Sequence, residues 1–196
     1  TFYRLDDGSH LAFFEAPDMP FEFKPQHDFD LHIALEVGPE VLQPMLAKGR
    51  AQGIETRGPS DHGMIDSIYF RDPEGNGLEL YRDRPKEAWP KGPLMFTAPL
   101  NLEKLLAENP DPTPLPPETL LGHLHLHVED LAAAEAFFNG KLGMEVTLRT
   151  YPGALFFAWD GYHHHVGANT WAGRRKAPPG ATGLLGYTLL APPGVP

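Results

Sequence analysis

Ten histidines and 26 acidic residues stand in a chain without a single cysteine. Transition-metal chemistry here must therefore run through imidazole and carboxylate. His32 lies in DLHIALEV, Glu79 in GLELY, His123 in GHLHLHVED, and the run His163-His164-His165 in YHHHVGAN. Two imidazoles and one carboxylate make a facial triad. It holds Fe(II) or Mn(II) on one side and leaves the other positions open for substrate and oxygen. A further, unligated histidine beside the ion can move protons. His32, Glu79 and His123 are the candidate ligands, and the histidine run supplies the candidate proton carriers. Strand alternation puts His163 and His165 on one face and His164 on the other.

Each residue alone has an ordinary reading. His32 suits a core or a surface, and Glu79 between two leucines suits an exposed strand. His125 and His127 share a strand face with His123, so at least two of these three are not ligands. His62 in SDHGMIDS and His10 in GSHLAFF sit near turns. The signal is the joint occurrence at equivalent places in a repeat. Glu79 is then held inward because a metal offsets the cost of burying its charge.

The repeat is visible in the elements that carry these residues. DLHIALEV alternates as a half-buried strand, with Leu31, Ile33, Leu35 and Val37 opposite His32, Ala34 and Glu36. Residues 39–53 read as a helix that starts on proline and ends on glycine. IETRG, IDSIYFRD and GLELYRD read as strands, the last following the turn DPEGNG. The same order restarts at GHLHLHVED: a helix over 130–143 capped by Asp130, then MEVTLRTY, ALFFAWD and HHHVGAN as strands. The expectation is an α+β fold of repeated βαβββ modules forming incomplete barrel-like curved sheets around a metal site. Boundaries fall at 30–85 and 120–172 for two complete modules. A Pro-rich linker with a short helical run, NLEKLLAEN, occupies 86–119. The hairpin within 1–20 reads as the tail of one further module and 183–196 as the start of another. The chain starts at Thr1 in mid-strand and ends as a strand begins, which reads as a fragment trimmed at both ends.

Bulk properties exclude several classes. A formal net charge of -10 gives no basic footprint for nucleic acid or an anionic membrane. No stretch approaches a membrane span and no signal peptide is present, so the cytoplasm is the expected location. Absence of cysteine removes disulfides, zinc–thiolate sites, iron–sulfur clusters and cysteine nucleophiles.

At these residues the sequence resembles the vicinal oxygen chelate superfamily of glyoxalases, bleomycin-resistance proteins and extradiol dioxygenases. SIYFRDPEGNGLEL is similar to its closing motif, whose Glu ligates metal. GHLHLHVEDLAAAEAFFNGKLGMEV is similar to its opening motif, whose first His does. Nearly the whole chain is covered, and two-domain catechol-2,3-dioxygenase-like proteins are the nearest group. The resemblance implies Fe(II)-dependent extradiol cleavage of an aromatic diol by dioxygen, in aromatic-compound degradation, with Mn(II) or another divalent metal as the alternative ion. It places His165 as the acid–base histidine outside the metal's ligand set, or His163 or His164 if the register shifts.

One departure matters. Tyr187 stands where a downstream module would carry its histidine, and no glutamate-bearing strand follows it. Two arrangements are open. The two complete modules pair and bring His32, Glu79 and His123 together, or each module pairs with its truncated neighbour and the ligands are split. Phe156, Phe157, Trp159, Tyr162 and Trp171 are candidates for an aromatic substrate wall, or ordinary core. Two competing functions share the fold: a glyoxalase-type metal-dependent lyase or isomerase, and a non-enzymatic small-molecule binding protein. Incomplete modules leave sheet edges that invite homo-oligomerisation.

Overall fold

Alternation along three strands decides the architecture. In the computed structural model, which describes residues 1–5, 8, 10–15, 32–73, 75–91, 95–101, 119–173, 184 and 186–195, β3 (His32–Glu36), β6 (Gly77–Asp83) and β8 (Leu120–His127) are adjacent. Leu35, Leu80 and Leu126 point one way into apolar clusters, while His32, Glu79 and His123 point the other. Period-2 geometry allows no other outcome once the leucines face those clusters.

The first half of the sheet is built from β3, β4 (Thr56–Asp61), β5 (Ile65–Arg71) and β6, with helix α1 (Pro39–Ala51) between β3 and β4. The second half is built from β8, β9 (Glu145–Leu148), β10 (Ala154–Ala158) and β11 (Val166–Asn169), with α2 (Leu131–Phe138) after β8. In each half the first and last strands are parallel, β3 with β6 and β8 with β11. The halves join through an antiparallel β3–β8 pair. With the short β7 (Ala98–Pro99) at one edge, the sheet has nine strands among the described residues, in the order β7-β4-β5-β6-β3-β8-β11-β10-β9. It is a curled half-barrel.

The helices cover one face. Val41, Leu42 and Leu46 of α1 pack on Leu35, Ile68 and Leu80. Ala134 and Phe138 of α2 pack on Leu155, Phe157, Val166 and Ala168. Helix α1 tolerates Pro39 at its first turn, where an N–H would have no helical partner. Helix α2 is capped by Asp130, whose Oδ1 accepts from Ala133 N at 3.0 Å, and it ends at Phe138 rather than running to Gly143. Asn139 donates its side-chain amide to Met144 O at 2.7 Å and so stabilises the turn that follows.

A separate hairpin, β1 (Phe2–Arg4) with β2 (His10–Ala12), adds Leu5 and Leu11 to the α1 cluster. The tip residues Asp6 and Asp7, Leu31, the run at 102–109 and most of the linker lie outside the described residues. Residues 186–190, read as a strand from sequence, form none, and Leu189 packs against the α2 cluster. Among the described residues no helix is long and apolar enough to cross a membrane.

Candidate metal centre

The turn Asp72–Asn76 sets the register of β6. Asp72 accepts Asn76 N and the Asn76 side-chain amide, both at 2.8 Å, and Gly75 takes a positive φ of 87°. Glycine is suited to that backbone. The register then places Glu79 beside Ala34, and Ala34 beside His123. Ala34 is the small residue between two long ones, so the carboxylate and the imidazole meet above its methyl group. His32, two residues earlier on the same face, closes the group.

Glu79 Oε2 accepts from His123 Nε2 at 3.0 Å and lies 2.8 Å from His32 Nε2. The second contact lacks hydrogen-bond alignment, and His32 Nε2 counts with Glu79 Oε1 and His123 Nδ1 among buried polar atoms without a partner. Ligand atoms of the three residues fall within 4.8 Å of one another. Glu79 is 1% exposed, His123 3% and His32 8%. Buried polar atoms are normally paired. Unpaired acceptors on a fully buried carboxylate between two imidazoles could hold a divalent cation. Burial pushes the Glu79 carboxyl up. The imidazoles of His123 and His32 outweigh that and hold it well below the usual carboxylate range. The carboxylate is therefore ionised and ready to ligate. Burial lowers His123 too, against the pull of Glu79, and a neutral ring is the form that binds metal.

The group forms one end of a cavity of about 220 Å³, which Tyr69, Tyr151, Phe156 and Trp171 also line. His164 lines it as well. Its proton position follows from its partners. With His163 neutral, its Nε2 donates to Asp83 Oδ1 at 2.9 Å and its Nδ1 is left as an acceptor. His164 Nδ1 lies 2.8 Å from that atom and so donates to it. In this tautomer His164 keeps Nε2 free of a proton. Burial lowers the His164 pKa well below the ordinary histidine value. On another wall His62 Nδ1 donates to Phe96 O at 3.0 Å, so a neutral His62 accepts from the Tyr69 hydroxyl at 2.9 Å.

No protein-family model matches the chain. Over 146 residues it is 44% identical to a catechol-2,3-dioxygenase of Bacillus subtilis (strain 168), covering 69% of this chain and 50% of that protein. A 34-residue stretch is 53% identical to biphenyl-2,3-diol 1,2-dioxygenase 3 of Rhodococcus globerulus, covering 17% and 18%. The chain belongs to the vicinal oxygen chelate superfamily. It spans about half the length of the catechol-2,3-dioxygenase it matches. Among solved structures, a Mn(II)-bound glyoxalase from Novosphingobium aromaticivorans is 17% identical, with a TM-score of 0.23 over 70% of this chain and 41% of that one. The 2,3-dioxygenase LapB from Pseudomonas sp. KL28 is 16% identical, with a TM-score of 0.26 over 69% and 46%.

Within this superfamily framework, the structure brings together His32, Glu79 and His123 and does not bring His165 to them. His165 Nδ1 accepts from Trp159 N at 3.3 Å, and its ring stacks on Tyr162 at 4.8 Å, away from the cavity lining. His163 is also absent from the lining and serves Asp83 and His164. The reason is local. β11 begins only at Val166, so the three histidines lie in an irregular approach where alternation does not apply. Of the five aromatic candidates, Phe156 and Trp171 line the cavity. Phe157 and Trp159 belong to the α2 core, and Tyr162 stacks on His163 at 4.0 Å. Tyr69 and Tyr151 escaped the sequence reading, and His62, read there as an ordinary histidine near a turn, lines the cavity as well. Tyr69 had a findable signal, since it is the strand partner of Glu79.

Proposed function

We propose that this chain is an Fe(II)-dependent, extradiol-type ring-cleaving dioxygenase for a catechol-like aromatic diol. The observation that carries the reading is the convergence of His32, Glu79 and His123 at one end of a cavity with aromatic walls. Similarity to a catechol-2,3-dioxygenase supports it. When bound, the ion would supply a Lewis acid that chelates both diol oxygens and a centre where dioxygen reacts. The remaining work falls to side chains of this chain. The two imidazoles and the carboxylate bind from one side and leave the cavity side open. Phe156 and Trp171 position the substrate ring. His164 Nε2, free of a proton in the tautomer set by His163 and Asp83, accepts a proton from the diol and returns it later. Both atoms of dioxygen end in the ring-opened product, so no external reductant is required.

The test is anaerobic reconstitution with Fe(II), followed by catechol and oxygen. The expected result is one dioxygen consumed per diol with a coloured ring-fission product, and strongly reduced turnover in His164→Phe at unchanged iron content. Full iron loading without oxygen uptake on any catechol would overturn the reading. Turnover of a substrate without oxygen would assign the centre to the lyase or isomerase class instead. Diol binding without turnover would make it a binding protein.

A further inference from the structure

Beside the triad stands a buried histidine without a task in the scheme above. His125 is opposite His32 across the β3–β8 pair and opposite Gly167 across the β8–β11 pair. It lines the same cavity and is 6% exposed. Its Nε2 has no hydrogen-bond partner. It is not one of the three residues whose ligand atoms cluster. Its ring centroid is 5.2 Å from that of His32, 5.4 Å from Trp171 and 5.8 Å from Phe156. His125 therefore lies between the metal-binding end of the cavity and the aromatic end.

The seat for this ring is built into the sheet. A Cβ on Gly167 would come within 3.1 Å of His125 Nδ1, so glycine lets the imidazole lie against β11. A phenylalanine would fill such an aromatic niche without burying an unpaired nitrogen. A buried polar atom with no protein partner is costly, and a ligand group is the partner that relieves it. The chemistry of that group follows from the walls. Among the described residues that line the cavity none is Lys or Arg, whereas Ser60, Thr97, Tyr69 and Tyr151 offer uncharged hydroxyls. A hydroxyl or carbonyl substituent finds a match there, and a carboxylate does not.

We propose that His125 is a specificity-determining residue whose Nε2 hydrogen-bonds an uncharged polar substituent on the ring of the aromatic diol. The inference rests on the diol reading of the cavity and specifies which diols it takes.

The experiment is calorimetric titration of the Fe(II)-loaded full chain under argon with pairs of diols of nearly equal size. One pair is 1,2,4-trihydroxybenzene and 4-methylcatechol, the other pyrogallol and 3-methylcatechol. In at least one pair the wild type is expected to bind the triol about tenfold tighter, the worth of one hydrogen bond. His125→Phe should erase that preference while the affinity for the methyl compound and the iron content stay unchanged. His125→Asn should keep part of it. If His125→Phe does not fold, His125→Leu is read in the same way. Equal binding of triol and methyl diol by the wild type overturns the role of His125 and leaves the diol reading intact. So does a preference that survives in His125→Phe. Iron loss in both His125→Phe and His125→Asn overturns it by assigning His125 to the metal. If none of the four diols binds the wild type, the diol reading itself fails.

Discussion

Glu79 is a charge placed where the fold alone would not want one. It is fully buried between two imidazoles, with one carboxylate oxygen unpaired. Glu79→Gln keeps the shape and removes the charge. Since losing a group that merely orients a metal ligand costs ~10–100-fold in affinity, losing the carboxylate itself should cost at least that much. The metal-free variant should be less stable than the parent at neutral pH, because the folded state holds the Glu79 charge between two imidazoles and removing one partner of a buried pair destabilises. Elemental analysis and thermal melts of the metal-free forms check both halves. The prediction fails if Glu79→Gln retains full metal occupancy. His123→Ala should likewise abolish metal binding, and unchanged metal content would sink the site assignment. These ligand candidates were legible because each sits in a regular strand whose alternation and repeat position could be read. Which histidine of the run lines the cavity was not legible. The face of His163, His164 and His165 is decided by a turn after Asp160, a residue with φ 55°, and by long-range bonds to Asp83.

At the scale of elements, the pairing of β3 with β8 makes the site, and two small residues make the pairing. Ala34 leaves room for Glu79 and His123 to meet above it. Gly122 is the extra residue of a bulge, skipped between the Ala34–His123 and Leu35–Leu121 pairs. A Cβ there would fall 1.8 Å from the Tyr81 hydroxyl, which bonds the Tyr162 hydroxyl at 2.9 Å. Gly122→Ala must displace a fully buried tyrosine and should cost ~1–3 kcal/mol, as overpacked cores do. A denaturant midpoint unchanged from the parent would refute that. Ala34→Leu should separate the ligands, so metal is lost while the α1 and α2 cores, on the opposite face, still form. Far-UV circular dichroism together with metal analysis distinguishes this from simple unfolding. Strand and helix types were legible from periodicity and caps. The pairing of the two modules was not, because each module's first strand offers the same alternating edge to any partner. The bulge at Gly122 that fixes this register leaves no mark in sequence beyond a glycine.

The molecule buries His32, His123, His125, His163 and His164 beside one another, and that makes its stability depend on pH. Burial lowers the pKa of His123, His125 and His164 in the folded state. Unfolded, each titrates near ~6.5. Below that value the unfolded chain binds protons that the folded chain refuses. Stability is therefore fully present above about pH 6.5 and is lost as pH falls. Three such groups add their losses in the same direction as pH falls below that value. Glu79, also depressed, adds loss in the same direction, but only as pH drops through the ordinary carboxylate range near ~4. A bound ion acts on the same atoms and against the same protons. At about a hundred times its dissociation constant it should stabilise the fold by ~2.7 kcal/mol. That gain should shrink below pH 6 as ligand protonation competes. Urea titrations at several pH values, with and without Fe(II) under argon, measure both effects. A midpoint flat from pH 7 to 5 would mean that the buried histidines are not held neutral. A metal-induced shift that did not fall with pH would mean that imidazole is not the ligand.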